Sequence, residues 1–129
     1  MEYVDLVAII AVLQFLFFGA MTGKAREKTG LKGPAVTGNH EFECMYRVQM
    51  NTLELLVIFL PALYIASKYW SSMIIAGIGI VYVIGRVLYW RAYVTEPSKR
   101  GPGFMLSIIP AAILAVMALI GIIMSMLGM

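Results

Sequence analysis

Apolar positions fall into four runs along this chain, Val4 to Met21, Leu53 to Ala66, Met73 to Tyr93 and Phe104 to Leu127. Crossing a bilayer takes about 20 helical residues, and only the second run is clearly short of that by itself. Extending it back to Asn39, an N-cap residue type with Glu41 and Glu43 following in the first turn, predicts one long helix. At about 28 residues it measures ~42 Å, so its first turns project beyond a hydrocarbon layer of ~30 Å. Pro61 inside it removes a backbone hydrogen bond and predicts a kink near Val57 to Pro61. The expected fold is therefore an all-α membrane protein. One domain over residues 1–129 forms a four-transmembrane-helix bundle with spans at 4–21, 39–67, 72–93 and 103–127. The first run follows Glu2 and Asp5 and lacks the basic segment of a signal peptide, so it is read as a permanent helix.

The connections differ in character. Thr22 to Gly38 is expected as a long loop rich in Gly and Lys, Ser67 to Ser72 as a tight turn, and Val94 to Gly103 as a basic loop punctuated by Pro97 and Pro102. Loops one and three lie on the same side in a four-span plan. That side carries Lys24, Arg26, Lys28, Lys32, Arg91, Lys99 and Arg100, against Lys68 on the other. The positive-inside rule therefore puts loops one and three in the cytoplasm and both termini on the outer or lumenal side.

Composition agrees with this class: 61% of residues are hydrophobic and 13% charged, where a soluble domain carries roughly 25% charged. Cys44 is the one cysteine, so an internal disulfide is excluded. One histidine, His40, without ligand spacing around it gives no expectation of a metal site, and no nucleic-acid partner is expected. The ten methionines cluster toward the last quarter and read as flexible packing. Gly77, Gly79 and Gly85 suit close helix contact.

Against this background two polar seams stand out. Arg47, Asn51 and Glu54 fall at i, i+4 and i+7 and share one face of the second helix; Tyr82, Arg86, Tyr89 and Tyr93 share one face of the third. Ionisable groups inside a membrane span cost ~2.5–3.5 kcal/mol each and mark functional sites by default. Glu54 lies 13 residues before Ser67 and Arg86 lies 14 after Ser72. Both sit ~20 Å from the same end by helical rise, so they are expected to meet, within a subunit or across a boundary. As an ion pair they serve merely as glue between helices, but Arg47, Gln49, Asn51, Tyr89 and Tyr93 supply more donors and acceptors than one pair needs. Guanidinium groups grip carboxylates bidentately and a carboxylate holds an ammonium, so a small zwitterion with several carboxylates suits this set better than a cation does.

The seams carry a resemblance. Glu41, Phe42, Glu43, Tyr46, Arg47, Gln49, Asn51 and Glu54 match the motif E-F-E-x-x-Y-R-x-Q-x-N-x-x-E of the membrane-associated proteins in eicosanoid and glutathione metabolism. Microsomal glutathione transferases and leukotriene C4 synthase belong to that family. Arg86, Tyr89, Tyr93 and Arg100 repeat its intervals between an arginine, two tyrosines and a loop arginine, and the length and four-span plan are similar across nearly the whole chain. The resemblance implies a homotrimer with three glutathione sites between neighbouring subunits, open to the cytoplasm. By position, Arg26, Arg47, Gln49, Asn51, Glu54, Arg86, Tyr89 and Tyr93 would bind glutathione, the co-substrate, and Arg100 would be catalytic. The implied function is a membrane-bound glutathione transferase that conjugates the thiolate to lipophilic electrophiles arriving from the bilayer, with glutathione-dependent reduction of lipid hydroperoxides as a related activity.

Several positions depart from that pattern or have plainer readings. Leu55 stands where leukotriene C4 synthase has a tyrosine, and Leu88 where it has an arginine. Gly101, Pro102 and Gly103 are expected to hold Arg100 less rigidly than a helix would, and a slip of one residue in alignment would exchange it for Lys99. Arg26 and Arg100 also serve as topology determinants, Trp90 fits an interfacial aromatic belt, and Cys44 reads as inert helix packing. Two other functions are compatible with four short spans: a non-catalytic lipid-binding relative within the same family, which the intact set of polar residues argues against, and a small proton-coupled transporter, against which Arg47 and Arg86 weigh.

Overall fold

The computed structural model describes residues 1–129. Four long helices account for nearly all of them: α1 (Glu2–Thr29), α2 (His40–Tyr69), α3 (Ser72–Thr95) and α4 (Gly101–Met126), with one 3₁₀ turn at Pro97–Lys99 before α4. Each is long and apolar enough to cross a membrane, so the expected four-span plan is present. The Asn39 cap forms as its sequence suggests, its side chain accepting a hydrogen bond from the Phe42 backbone N–H at 3.1 Å.

The helices exceed the apolar runs at their polar ends. The first loop was expected from Thr22; instead α1 continues to Thr29 and stops at Gly30, whose φ is +74°. Lys24, Arg26 and Lys28 are good helix formers, and cations in a last turn complement the helix dipole, so loss of apolar character does not mean loss of helix. The Gly30 N–H bonds to the Arg26 carbonyl and closes the end. Likewise, α2 runs unbroken through Pro61. Only Trp70 and Ser71 separate it from α3.

The main core draws on all four helices, with Val4, Phe59, Leu63, Ile75 and Leu114 fully buried, and a smaller cluster gathers Phe18, Met45, Val48 and Tyr89. Outward-facing Leu16, Val57, Met73, Ile84 and Leu119 are exposed apolar side chains, as a bilayer-facing surface requires. In α4 the buried positions include Gly103, Ser107, Ala111, Ala118 and Gly121, a face of small residues. This lets α3 and α4 touch backbone to backbone. A Cβ on Gly103 would stand 2.4 Å from the Tyr89 nitrogen, and one on Gly85 would stand 2.6 Å from the Leu106 carbonyl carbon. Apolar attraction between helices is weak in lipid, so such close approach is what holds a pair together. Gly79 also meets its neighbours closely, whereas Gly77 faces open space.

At the end opposite loops one and three, the Tyr64 hydroxyl donates to Asp5 at 3.0 Å and the Trp70 indole N–H donates to the Met117 carbonyl at 2.8 Å. These bonds tie α1 to α2 and the α2–α3 turn to α4.

Candidate functional site

Arg86 is the largest fully buried side chain in the protein. Its burial follows from the seam on α3: Tyr82 and Arg86 are sealed from solvent, Tyr89 is nearly so and Tyr93 is half-buried. The guanidinium Nε donates to Ser107 Oγ at 2.8 Å, and Nη1 donates to Asn51 Oδ1 at 2.8 Å and Thr52 Oγ1 at 3.2 Å. Ser107 in turn donates to the Gly103 carbonyl at 2.7 Å. One cation thereby joins α2, α3 and α4, with its Cζ 4.3 Å from the centre of the Tyr89 ring. Two polar atoms in this region have no partner, Arg86 Nη2 and the Tyr82 hydroxyl.

The expected meeting of Glu54 with Arg86 does not occur within the chain. Thr52 is buried and Glu54 exposed on the same helix, so Glu54 points away while Asn51, Thr52 and Ser107 satisfy the guanidinium. Glu54 instead lies 4.0 Å from Arg47, and both side chains are half-exposed or more. Their i, i+7 spacing does put them on one face, as the sequence suggests.

Above Arg86, at the end that carries loops one and three, a cleft of about 480 Å³ opens between α2, α3 and α4. Arg47 and Asn51 line it from α2, Tyr89 and Tyr93 from α3, and Ser98, Arg100, Gly101 and Phe104 from the α4 side. Its volume lies in the range of small-molecule sites. The rings form its wall: Tyr89 is 5.4 Å from Tyr93 and 6.3 Å from Phe104, centre to centre. Arg100 Cζ lies 5.5 Å from the Tyr93 ring. Two guanidinium groups, two phenols and one amide therefore face the same space, a set suited to an anion with additional polar groups.

Arg100 is held more firmly than the Gly-Pro-Gly sequence suggests. It is the N-cap residue of α4, with helical backbone angles. Its amide N–H bonds to the Pro97 carbonyl at 3.2 Å, its Nη1 donates to the same oxygen at 2.9 Å, and its own carbonyl accepts from Phe104 N–H. Pro102 sits where a helix needs no donor, and Gly103 is anchored against Tyr89. Lys99 turns elsewhere and pairs with Glu96 at 3.2 Å.

Of the nine site residues expected from sequence, Arg47, Asn51, Tyr89, Tyr93 and Arg100 line this cleft, and Arg86 braces Asn51 and Tyr89 from beneath. Glu54 adjoins Arg47 on the outer face. Arg26 and Gln49 lie on another side of the chain. Gln49 faces α1, its Nε2 3.4 Å from where a Gly19 Cβ would be. Arg26 donates to the Ala35 carbonyl at 2.8 Å and more weakly to Leu31, and it covers the Phe42 ring at 4.4 Å. Sequence reasoning did not single out Ser98, Phe104, Thr52 or Ser107. A hydroxyl four residues after Gly103, on the small-residue face of α4, is the signal that points to Ser107.

The MAPEG family profile matches residues 4–120. An uncharacterized Synechocystis protein is 41% identical over 117 residues, which cover 91% of this chain and 85% of its own. Human microsomal glutathione S-transferase 2 is 38% identical over 116 residues, 90% of this chain and 79% of its own. Bovine leukotriene C4 synthase is 31% identical over 94 residues, 73% and 63% respectively.

Proposed function

The chain belongs to the MAPEG family, and from that premise we propose that it is a membrane-bound glutathione transferase acting on lipophilic electrophiles. The observation that carries the reading is the pairing of Arg47 and Arg100 in one cleft with Tyr89, Tyr93 and Asn51. Arg47 and Asn51 hold glutathione carboxylates and amides, and Arg100, fixed at the start of α4, faces the sulfur. A thiol of pKa ~8.5 is mostly protonated at neutral pH, and a neighbouring guanidinium favours the thiolate. The N-terminal end of α4 adds to that field. The thiolate then attacks the electrophilic carbon: a C–S bond forms, and the leaving group departs with the bonding electrons. With a lipid hydroperoxide the sulfur attacks oxygen instead, the O–O bond breaks to give the alcohol, and a second glutathione completes a disulfide with release of water.

The same reading takes the assembly to be a homotrimer. Arg47 and Glu54 are exposed in one subunit, and Glu54 is 15 residues before the end of α2 at Tyr69, about 22 Å by helical rise. A charge at such depth facing lipid is costly, up to ~2.5–3.5 kcal/mol at the centre of a span, and a second copy of the chain covers Glu54 together with its neighbour Arg47. Glu54, Arg26 and Gln49, which do not line the cleft of their own subunit, then act where two subunits meet, Glu54 against the glutathione ammonium. The seven basic residues flanking loops one and three against Lys68 on the other side set this mouth toward the cytoplasm.

The test uses the full chain in detergent or nanodiscs. Glutathione is expected to produce an ultraviolet thiolate difference band at neutral pH and to be conjugated to a chlorodinitrobenzene. Failure of glutathione to bind the folded protein in a calorimetric titration overturns the proposal.

A further inference from the structure

A second cleft, of about 320 Å³, lies between α1, α2 and α3 on a different side of the bundle from the one lined by Arg100. Lys24 and Lys28 of α1 and Arg91 of α3 line it, and Glu41 contributes its only carboxylate. That carboxylate is already engaged by Lys28 at 2.7 Å. Neither Lys24 nor Arg91 has a carboxylate within 4.0 Å, so two cations remain uncompensated. Both are exposed.

Met21 lies three residues deeper than Lys24 on α1, and Trp90 adjoins Arg91 on α3. Lys24 and Arg91 stand five and four residues from the ends of their helices, at Thr29 and Thr95, which is within ~8 Å of those ends. Met21, Met45 and Trp90 form its apolar lining. The Trp90 ring makes an edge contact with Phe17, 5.3 Å between centres, and Arg91 Cζ lies over it at 5.4 Å. Cations at headgroup level beside an aromatic and thioether wall match an amphiphile with an anionic head and an apolar tail; basic pockets between membrane helices hold phosphorylated lipid heads in this way. A soluble anion would leave the apolar wall unused.

We propose that this cleft is a binding site for an anionic phospholipid, its phosphate between Lys24 and Arg91 and its acyl chain along Trp90. The site is separate from the glutathione reading and does not depend on it.

Trp70 is the other tryptophan and lies at the opposite end of the bundle, so in a Trp70→Phe background fluorescence reports on Trp90 alone. The protein is placed in phosphatidylcholine nanodiscs doped with brominated phosphatidylglycerol or, in parallel, brominated phosphatidylcholine; bromine quenches on contact. Each cation near the surface is worth about fivefold in local enrichment of an anionic lipid. The phosphatidylglycerol probe is therefore expected to quench more strongly, and Lys24→Gln with Arg91→Gln to reduce its enrichment about twenty-five-fold and abolish the excess. Lys32→Gln with Lys99→Gln removes the same charge from the same end outside the cleft, and the excess is expected to persist. Equal quenching by the two probes overturns the proposal. So does equal loss in both double variants, which would mean general surface attraction, and so does relief of quenching by millimolar inorganic phosphate, which would make the ligand a soluble anion.

Discussion

Removing Arg86 and Ser107 singly and together measures how far the buried cation holds the bundle. Arg86→Met keeps the aliphatic stem and deletes three hydrogen bonds, to Ser107, Asn51 and Thr52. Polar bonds between membrane helices average ~0.6 kcal/mol and reach ~1.7 kcal/mol, so the three together are worth about 2–5 kcal/mol. The lower half of that range is expected, because Asn51 borders the cleft and can be rewetted, and Ser107 keeps its bond to the Gly103 carbonyl. Ser107→Ala leaves a buried guanidinium N–H unpaired, a loss of about 1–3 kcal/mol. If the Nε to Oγ bond carries energy of its own, the double variant is less damaged than the sum of the singles by about 1–2 kcal/mol. The assay is reversible unfolding by sodium dodecyl sulfate in mixed micelles, followed by circular dichroism. Independent sites add to within about 0.5 kcal/mol, and additivity to that precision would refute the claim that Arg86 works through Ser107.

For Arg100→Ala the thiolate band is expected to vanish; a thiol returned to pKa ~8.5 is about 3% ionised at pH 7, so turnover falls about twentyfold or more and recovers as pH is raised past 8.5. Lys99→Ala, whose partner is Glu96, is expected to retain the band and the rate; if the two variants exchange behaviour in the same steady-state assay, Lys99 is the thiolate partner. Glu54→Gln is expected to raise the glutathione dissociation constant about tenfold or more, through loss of a charge-assisted contact worth ~1.5–3 kcal/mol, and an unchanged constant by calorimetry removes Glu54 from binding. Gly103→Val places a Cβ where the Tyr89 backbone already stands, so detergent-extracted protein should lose the helical unfolding transition or show it at much lower temperature. Lys28→Ala breaks an exposed pair and should shift stability by less than about 1 kcal/mol.

Helix number, the Asn39 cap and the inward seam of Tyr82, Arg86 and Tyr89 were legible because each is a local property of spacing and residue type. Hydropathy misplaced the end of α1, since it records where apolar residues stop and not where hydrogen bonding stops; Lys24 through Thr29 are polar and helical. Depth along a helix was also legible, but direction around it was not. Arg86 meets Asn51 and Thr52, within one turn of Glu54, yet only the packing of α2 decides that those two face the guanidinium while Glu54 faces out. The rigidity of Arg100 escaped notice for a related reason. Glycines that suggest a loose loop in sequence are, at Gly103, the means by which a helix end presses against another backbone.

That intimacy between α3 and α4 has a mechanical corollary. Two rods touching at Gly85 and again at Gly103 have little freedom to slide or hinge against each other, so Tyr89, Tyr93, Phe104 and Arg100 move as one piece. Any breathing that widens the cleft then falls to the Arg47 end of α2, the part of the opposite jaw that Arg86 does not anchor through Asn51 and Thr52.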